Sequence, residues 1–598
     1  MTPHVSDAVA DTRPRLDLRS QLVLAGACLT VLFTAFEIKS PVFSLGPVSF
    51  TTSKIVAAIF IFASLAFAAG KISWYLSRRA LDVAVLLFIA SNFLSVLAAQ
   101  DKPGAFKFAI RLVSAALVYL AVSRLPSRSR AHLWIAGSVA VTLGIETVIG
   151  MLENFISSVQ WPNVLEPFQE GVITFGTFYN VRISATLPFP TVFSIFLELT
   201  LPLALAFGIW CAERQESRSA RRWAAAATIV FIACVMIVQV VTFTRTALVA
   251  TPLAFGAGAA LAYMYGYSRR YWAYLLLAIA LLLVTVGFMT LFSNKMAARL
   301  DVAPQERHYG VNYKLLSFPQ QLRSGQTAVA KIHVKNTGSI NWEPQGSDQV
   351  MLGYRWLTYP DQQDYDLGLG DNRGNVPNVP VSVPPGAETD IQIEFVSPKE
   401  NGEYVLVFEL AKAHVSWFSS AGPPPLIIPL KFVNGVSSPL TIPQTADSFK
   451  AGEPALVTPA RTQLWKAGLK TWEHNPFLGV GPDQFRLRYY DYMPDLPHDD
   501  RVRTHNIFLE AMANTGIAGL AVMVFLLARM VWVQFRLVRN RSQGAGARYV
   551  SLALLIASLA YLAHGMVDFF LWQTGISFLF FIYLGLTSWL DYEVRERD

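Results

Sequence analysis

The sequence THNIFLEAMANTGIAGLAVMVFLL (residues 504–527) joins a polar start to an apolar segment of membrane length. The His505-Asn506 pair lies where such a segment leaves the water phase, and a helix beginning there would hold the imidazole at a fixed height. A histidine at this boundary can exchange protons near neutral pH. Two interpretations are open: His505 is a base for chemistry on a lipid-linked substrate, or it only begins a transmembrane helix with Thr504 as N-cap.

The composition is that of a membrane protein. Hydrophobic residues make up 53% and charged residues 15% of its 598 residues, which is too apolar for a soluble protein of this length. The net charge of +8 would suggest nucleic acid in a soluble domain, but the arginines here cluster in short loops between apolar runs and indicate topology. The cysteines have neither a disulfide pattern nor a metal-type spacing.

Apolar segments follow one another along most of the chain. Crossing a bilayer takes about 20 residues, and about twelve segments are long enough. The first has no convincing small-residue cleavage site after it, so we expect a retained span rather than a signal peptide. The segments cover residues 20–37, 53–70, 80–98, 105–122, 132–154, 188–211, 223–243, 246–266, 271–292, 506–532, 548–568 and 572–591.

The loops alternate in charge. Lysine and arginine follow the second, fourth, sixth, eighth and tenth segments, so by the positive-inside rule these loops and both termini are cytoplasmic. The remaining loops then share the extracytoplasmic side, and an active site should be assembled from three of them. These are residues 155–187, the turn Thr244-Arg245-Thr246, and residues 293–505.

The pattern of polar and apolar residues changes within the long outer loop. Residues 309–434 alternate polar and apolar residues between NTG, PPG and NG turns, which favours an antiparallel β-sandwich, here of immunoglobulin-like type. The sequence therefore predicts a polytopic α-helical membrane protein with an inserted extracytoplasmic β-sandwich. Its parts are a nine-helix membrane region (1–292), the sandwich (309–434), a linker (435–459), an amphipathic active-site segment (460–505) and a three-helix membrane region (506–598).

Arg245 lies midway in an otherwise apolar run from Trp223 to Gly266. That run fits two spans and a tight turn, which puts the arginine at the tip of a hairpin. A charged residue at the membrane boundary is a candidate for a functional role. The alternative is that it only anchors the hairpin at the interface. Its planar guanidinium suits diphosphate oxygens, and both interpretations stay open.

The segment before His505 is amphipathic. Arg461, Trp465 and Leu469 recur at helical spacing and predict a short helix that lies in the membrane interface. The loop NPFLGVGPDQF follows, and its Gly479 and Gly481 either let backbone approach a ligand or form a plain loop.

A metal site is a less favoured possibility. His474, His498, Asp499, Asp500 and His505 lie near one another in sequence, but no pair has the helical spacing of zinc motifs. We therefore expect no metal and no other cofactor.

Three pieces together resemble the O-antigen ligase and polymerase superfamily of bacterial envelope glycosyltransferases. They are the hairpin TFTRTALVATPLAFGAG, the R-x-x-x-W helix followed by NPFLGVGPDQF, and THNIFLEAMANTGIAGL. The resemblance covers most of the membrane part and implies a fold of about twelve spans, of the GT-C-like kind, in the bacterial inner membrane. The sandwich lies outside it.

The resemblance implies transfer of a glycan from a polyprenyl-diphosphate carrier to an acceptor hydroxyl, without metal or nucleotide. At the matching positions, Arg245 and Arg461 would hold the diphosphate and His505 would be the base. Arg182, in VRISATLPFPTVFS, resembles an arginine that opens the sixth span in the family. This chain has Pro190-Thr191 where members often show Pro-Asn, and Arg182 is a substrate-binding candidate or a boundary anchor.

Other functions remain open. The acceptor could be a lipid, another repeat unit (a polymerase) or a protein hydroxyl (an O-oligosaccharyltransferase), and no residue selects among them. A transporter should carry charged residues in mid-span, where this chain is expected to be almost free of charge apart from Asp568. A surface receptor could use Trp342, Trp356 and Trp417 as carbohydrate platforms, although core positions are favoured. Expected partners are the lipid-linked donor, the acceptor and membrane lipids, but no nucleic acid.

Overall fold

The computed structural model describes most of the chain. The described residues are 17–38, 40–45, 48–68, 78–127, 129–155, 165, 167–168, 183–292, 310–345, 349–359, 365, 377–412, 416–418, 424–440, 461–493 and 502–596.

Most of the described residues are helical. Long apolar runs form helices because a membrane offers no other partner for backbone polar groups. The α-helices are α1 (Leu18–Phe33), α2 (Thr52–Ala68), α3 (Asp82–Val96), α4 (Lys102–Ser123), α5 (Ala131–Phe155), α6 (Pro190–Glu213), α7 (Arg218–Val241), α8 (Ala247–Met264), α9 (Arg269–Phe292), α10 (Arg461–His474), α11 (Phe485–Tyr492), α12 (Ile507–Arg539), α13 (Ala545–Gly565) and α14 (Thr574–Arg595).

The helices fit a polytopic membrane protein, as the sequence predicts. Among the described residues, 9 helices, α4–α9 and α12–α14, are long and apolar enough to cross a membrane. The apolar helices α1–α3 are shorter. The two groups together overlap the predicted segments, but a total of twelve spans stays a prediction. Helices α6 and α14 are almost wholly buried and form the centre of the bundle, whereas α9 is mostly exposed along its apolar surface.

Helix α12 contains a break that positions its first two turns. Gly516 has φ 66° and ψ −167°, so the helix that starts at Ile507 is interrupted there. The loop 475–481 fills the break: Val480 N–H donates to the Ala513 carbonyl at 3.0 Å, and Ile517 N–H donates to the Pro476 carbonyl at 2.8 Å. The start of α12 is thereby held as a separate short helix.

The glycines of this loop approach protein backbone. A Cβ on Gly479 would lie 2.4 Å from the Asn514 carbonyl carbon, and one on Gly516 would lie 2.2 Å from the Phe477 carbonyl oxygen. Gly481 N–H donates to the Asn514 carbonyl at 2.9 Å. This loop therefore packs its backbone directly on helix α12, and an approach of Gly479 or Gly481 to a ligand stays a prediction.

Two antiparallel sheets lie between α9 and α10 in the chain. Their strands follow the hairpin of β1 (Phe43–Leu45) and β2 (Val48–Phe50), which precedes α2, and are β3 (Val311–Ser317), β4 (Thr327–Asn336), β5 (Val350–Thr358), β6 (Glu388–Val396), β7 (Gly402–Lys412), β8 (Ser416–Trp417), β9 (Leu426–Val433) and β10 (Val436–Pro439). One sheet has the order β3-β4-β6, and the other has the order β10-β9-β7-β5 with β8 paired to β7.

The two sheets share one hydrophobic core, which is separate from the core of the helices. Alternate residues of β4 are buried, as expected of a strand with one face toward a core. Trp342 and Trp356 are fully buried, so neither is an exposed carbohydrate platform. The Trp417 side chain lies outside the description, and the immunoglobulin-like type of the predicted sandwich stays a prediction.

Candidate active site at the start of helix α12

His505 lies in a tightly anchored turn before α12. Its backbone has φ 51°, a left-handed conformation that is uncommon for a residue with a side chain. Asn506 is the N-cap, because its Oδ1 accepts from the N–H groups of Phe508 and Leu509 at 2.9 and 3.0 Å. The Asn506 Nδ2 also donates to the Met566 carbonyl at 2.7 Å. The turn is therefore fixed to the loop between α13 and α14.

The expectation that Thr504 caps this helix is wrong. Its N–H and Oγ1 both donate to Oε2 of Glu510 at 2.8 Å, and all of these groups are buried. Glu510 accepts a third hydrogen bond, from Nδ2 of Asn514 to Oε1 at 2.9 Å. The buried carboxylate thus ties the residue before His505 to the second turn of the helix after it.

Asp568 is the hydrogen-bond partner of His505. Nδ1 of His505 lies 3.0 Å from Oδ1 of Asp568, which also accepts from the Phe569 N–H at 2.9 Å. An ionised carboxylate accepts only, so Nδ1 carries the proton and Nε2 presents its lone pair. Among the described residues, no hydrogen bond engages Nε2. The His505 side chain is 31% exposed and that of Asp568 is 10% exposed, so the imidazole remains accessible while its partner is shielded.

The surroundings keep Asp568 ionised. Burial raises the pKa of its carboxyl, but the hydrogen bond from His505 and the electrostatic influence of the His505 and His564 rings and of Arg461 outweigh burial and hold the pKa below its ordinary value. Sequence reasoning noted Asp568 only as an exception at the end of a span. Nothing in the sequence around Asp568 indicates its pairing with His505.

Arg461 shares the same carboxylate. It is the first residue of α10, and its Nη2 lies 3.9 Å from Oδ2 of Asp568. Helix α10 packs closely on the start of α12, since a Cβ on Gly468 would lie 3.1 Å from Cγ2 of Thr504. The structure thus brings Arg461 and His505 together, with the Arg461 guanidinium 44% exposed.

The predicted helix at Arg461 exists, with its buried face at Leu464, Ala467, Gly468 and Thr471. Leu469 is 42% exposed. The face with residues 461, 465 and 469, which was predicted for a helix in the membrane interface, is therefore not the face that packs on the protein. Its position in the interface stays a prediction.

Arg245 lies in the turn between α7 and α8, as predicted for a hairpin tip, and it is exposed. Among the described contacts, none joins its side chain to His505 or Arg461. The turn is connected to the site indirectly: Oγ1 of Thr244 lies 3.5 Å from the Pro190 carbonyl, and the neighbouring Phe189 ring lies 5.9 Å from the Trp572 ring.

Trp572 lies at the centre of this end of the bundle. The Arg503 guanidinium stacks 4.9 Å from the centroid of its ring, and Arg503 also forms an ion pair with Asp483. Burial raises the pKa of Asp483, but the charges of Arg503 and Arg486 prevail and lower it. Arg503, which precedes His505 by two residues, is thus held in place by its ion pair with Asp483 and by the Trp572 ring.

A second buried histidine and carboxylate pair lies deeper in the helices. Nδ1 of His564 lies 2.9 Å from Oε2 of Glu198, and both side chains have 0% exposure. Oε1 of Glu198 accepts from Nε2 of Gln239 at 3.3 Å and from Oγ1 of Thr251 at 3.1 Å. The expectation of mid-span regions almost free of charge is therefore wrong here, although both residues were visible in the sequence within apolar segments.

Glu198 connects two parts of the site. Gln239 is in the last turn of α7 and Thr251 is in the second turn of α8, so they flank the turn that carries Arg245. His564 is in the last turn of α13, and Asp568 follows it by four residues. One carboxylate on α6 therefore holds both the hairpin of Arg245 and the helix that leads to the partner of His505.

Arg182 lies outside the described residues, as do His498, Asp499 and Asp500 of the possible metal site. The described segment just after Arg182 is anchored, since the N–H groups of Ser184 and Ala185 donate to Oε2 of Glu153 at 3.0 and 2.7 Å. Within the described ranges, no group of three or more His, Cys, Asp or Glu side chains is arranged to hold a metal ion.

Comparison with known proteins relates part of the site to a family. No curated protein sequence matches the chain. Residues 432–524 match the family model described as O-antigen ligase, and this range contains α10, α11, Arg461, His505 and the break at Gly516. Arg245 and Asp568 lie outside the match. Over residues 432–524, the resemblance to the O-antigen ligase family drawn from the sequence motifs is confirmed.

Proposed function

We propose that this protein transfers a glycan from a polyprenyl-diphosphate carrier to an acceptor hydroxyl on the extracytoplasmic side of the bacterial inner membrane, with both termini in the cytoplasm. The observation that carries the proposal is the hydrogen bond of 3.0 Å from His505 to the buried Asp568. A carboxylate on one imidazole nitrogen orients the ring and leaves the other as a general base.

In the proposed reaction, the acceptor oxygen attacks the anomeric carbon as its proton passes to Nε2 of His505. The bond between that carbon and the diphosphate oxygen breaks, and its electron pair leaves with the diphosphate. A single displacement inverts the anomeric configuration. Asp568 stabilises the imidazolium that forms, because its negative charge lies against the protonated ring.

Arginines are proposed to stabilise the leaving group. Arg461 lies next to the base with its guanidinium 44% exposed, which leaves donor groups for phosphate oxygens. Arg245 is proposed as a second phosphate ligand and Arg182 as a further substrate contact. Because guanidinium groups can hold the charge that develops on the diphosphate, we propose that the reaction needs no metal ion and no nucleotide.

Ligase, repeat-unit polymerase and protein O-oligosaccharyltransferase would share this chemistry. They differ in the acceptor, and no described residue distinguishes among them.

Transport of a lipid or glycan is a second candidate, because Glu198 and His564 form an ionisable pair inside the helices. We favour transfer, since the hydrogen bonds of this pair serve to connect the parts of the His505 site. A transporter would move substrate in the absence of any acceptor, and its rate would follow an ion gradient or ATP.

The test uses the purified full-length protein in lipid nanodiscs with a polyprenyl-diphosphate glycan, candidate acceptors and a chelator. We expect transfer by the wild type and a fall of about 10²–10⁴-fold in rate for His505→Ala, the usual contribution of a general base. The matched control is His474→Ala, whose imidazole contacts only its own helix and the Tyr492 ring among the described residues. Full activity of His505→Ala would refute the assignment of the base.

A further inference from the structure

A groove runs along the side of the helical bundle, beside the start of α12. It lies between α12 and α13 and has a volume of about 510 Å³, which is within the range of sites that bind small molecules. Every described residue that lines it is apolar. We call it the α12 groove, and its lining includes Phe508, Val524, Ala528, Trp532 and Phe535 of α12 and Leu562 of α13.

One end of the groove lies at the candidate site because of the break at Gly516. Phe508 and Val524 both line the groove, although a straight helix would hold them about 24 Å apart along its axis. The break redirects the first turns of α12, and these turns pack on the end of α13, since a Cβ on Gly565 would lie 3.3 Å from Cγ2 of Ile507. The third residue after the proposed base therefore forms one end of the groove.

From this end the groove follows one face of α12. Val524, Ala528, Val531 and Phe535 recur at intervals of three and four residues, so they lie on one side of the helix. The distance from Val524 to Phe535 along the axis is about 16 Å, about half of a hydrocarbon core of about 30 Å. At the far end, the Phe535 ring packs edge-on against the Tyr265 ring, with centroids 6.1 Å apart. The groove thus leads from the candidate site into the depth of the membrane.

The groove is open toward the surrounding lipid. Val524 and Trp532 are 45% and 58% exposed, and Ala528 between them is exposed as well. Phe508 and Phe535 are half-buried and pack against the core of the helices. A hydrocarbon chain can therefore enter sideways from the bilayer. Because lipid tails are as apolar as the groove, such a chain would be held by packing against the aromatic rings.

We propose that the α12 groove holds the isoprenoid chain of the glycan donor and that it selects donors by the length of this chain. This inference rests on the proposed function. The donor is a lipid whichever acceptor is used, whereas the acceptor needs to be a lipid in only some of the reactions that remain open. A groove that is joined to the site and wholly apolar is therefore assigned to the donor.

The position of Arg461 supports this assignment. Helix α10, which begins at Arg461, packs on the first turn of α12, because a Cβ on Gly468 would lie 3.8 Å from Cβ of Leu509. Leu509 is next to Phe508, which forms the near end of the groove. A diphosphate bound at Arg461 would therefore have the beginning of its lipid chain at Phe508.

Chain length determines how much of the groove is used. A short chain ends near Val524, whereas a long chain continues past Ala528 to Trp532 and Phe535. The added contacts are with aromatic rings, which offer a large area for packing. The deeper half of the groove should therefore contribute to the affinity for long donors only.

The first experiment measures binding by the full-length protein in phosphatidylcholine nanodiscs. The probes are undecaprenyl diphosphate and farnesyl diphosphate, which share the diphosphate and differ in chain length. We expect Ala528→Trp to bind the undecaprenyl compound about tenfold more weakly than the wild type, because the added ring blocks the groove partway along. The affinity for the farnesyl compound should change less. Partition into the bilayer is the same for both proteins, so their comparison isolates the groove.

Val284→Trp is the matched control, because it adds the same ring to α9 at a position that is 66% exposed and outside the groove. Trp532→Ala is a second variant, which removes one wall of the groove. It should also weaken binding of the undecaprenyl compound, and an exposed side chain contributes little to folding.

The second experiment identifies the occupant by photolabelling. Undecaprenyl diphosphate with a photoreactive group in its chain should label residues 524–535 of the wild type and label them less in Ala528→Trp. Phosphatidylcholine with a photoreactive acyl chain should label these residues less once undecaprenyl diphosphate is added.

Three outcomes would overturn the assignment. The first is the same ratio of affinities for the two diphosphates in Ala528→Trp as in the wild type. The second is an equal loss in Val284→Trp. The third is labelling by phosphatidylcholine that undecaprenyl diphosphate does not reduce, which would indicate a groove filled by bulk lipid.

The third experiment connects the groove to transfer. With glycan donors on undecaprenyl and farnesyl diphosphate, the ratio of kcat/KM for the long and the short donor should fall in Ala528→Trp and keep its wild-type value in Val284→Trp. A ratio that is unchanged in Ala528→Trp would overturn selection by chain length. Absence of transfer by the wild type with both donors would instead refute the proposed function and leave the binding and labelling results intact.

Discussion

The Asp568 carboxylate determines which nitrogen of His505 can take a proton. A lone imidazole samples two tautomers, and only one of them presents a lone pair at Nε2. The hydrogen bond of 3.0 Å at Nδ1 selects that tautomer, and the backbone bond from Phe569 fixes the carboxylate in turn. Asp568 therefore fixes the orientation of the proposed base before any substrate binds.

Replacing Asp568 with Asn should impair catalysis without preventing folding. The amide is isosteric but neutral, so it no longer stabilises the imidazolium, and kcat should fall by about 10²–10⁴-fold. Because the pKa of Asp568 is held below its ordinary value, this group stays ionised throughout the neutral range. The loss of activity should therefore be present at every neutral pH, because the wild-type carboxylate carries its charge throughout this range.

The measurement is kcat of both proteins across the neutral pH range, with melting temperature as the check on folding. A fall in kcat that comes with a large fall in melting temperature would count against electrostatic support by Asp568. An unchanged kcat would count against any role for it.

Some residues of this site could be identified from the sequence, whereas their pairing with other residues could not. His505, Arg461 and Arg245 stand at points where the sequence pattern changes, and the first two lie within the range that matches the O-antigen ligase family. Asp568 and His505 are 63 residues apart, and Glu198 and His564 are 366 apart. Pairings over such distances depend on how helices pack, which local composition and spacing do not determine.

At the level of elements, the break in α12 is the feature that composition concealed. Residues 506–532 read as one apolar segment, yet Gly516 divides the helix and loop 475–481 closes over the break. Oγ of Ser95, on α3, donates to the Asn514 carbonyl at 2.8 Å and so holds the break from the other side. The segment was predictable from hydropathy, whereas the break depends on a positive φ that only the folded chain reveals.

Replacing Gly516 with Ala should displace the loop and lower stability. A Cβ there would lie 2.2 Å from the Phe477 carbonyl oxygen, and its left-handed φ is itself unfavourable, at a cost of about 1–3 kcal/mol. We expect a lower melting temperature and reduced transfer, because Arg461 and His505 are positioned by the two elements that meet here.

Gly287→Ala is the control for this change. Gly287 lies in α9, where nothing is within 4 Å of an added Cβ, so its melting temperature and transfer rate should match the wild type. If Gly516→Ala behaved like Gly287→Ala, the break would have no role in holding the site.

The Glu198 side chain relates four helices to one another, and its loss should affect stability and catalysis together. Glu198→Ala leaves His564, Gln239 and Thr251 without their common acceptor inside the helices. Removing one partner of such a buried pair costs about 3–5 kcal/mol. Glu198→Gln keeps the shape and some of the hydrogen bonds and should recover part of the loss.

The check is melting temperature with transfer kinetics for both Glu198 variants, beside Glu213→Gln. Glu213 is at the other end of α6, where it is exposed and accepts from the hydroxyl of Tyr549 at 2.9 Å. Substrate movement that stops in Glu198→Gln while transfer continues would instead support the transport alternative.

At the scale of the whole molecule, the two largest hydrophobic cores among the described residues are separate. One is formed by the transmembrane helices and the other by the two sheets that follow residue 309. Hydropathy and strand alternation are repeated over many residues, so this division could be predicted from the sequence. The arrangement of the helices could not, because an apolar helix gives little indication of which face meets which neighbour.

Deleting residues 309–434 and joining the ends with a short Gly-Ser linker should leave the membrane region folded. The core of the sheets includes no residue of α1–α14, so its removal opens no cavity among the helices. His505, Asp568 and Arg461 are all outside the deleted range. We therefore expect transfer to a small soluble acceptor at a kcat within about threefold of the wild type. Such a ratio corresponds to a change of less than about 1 kcal/mol in activation free energy. The measurements are melting temperature, KM and kcat, with the His505→Ala form of the shortened chain as the blank. A deletion variant that melts like the wild type but transfers no glycan would mean that the two sheets contribute to the active site.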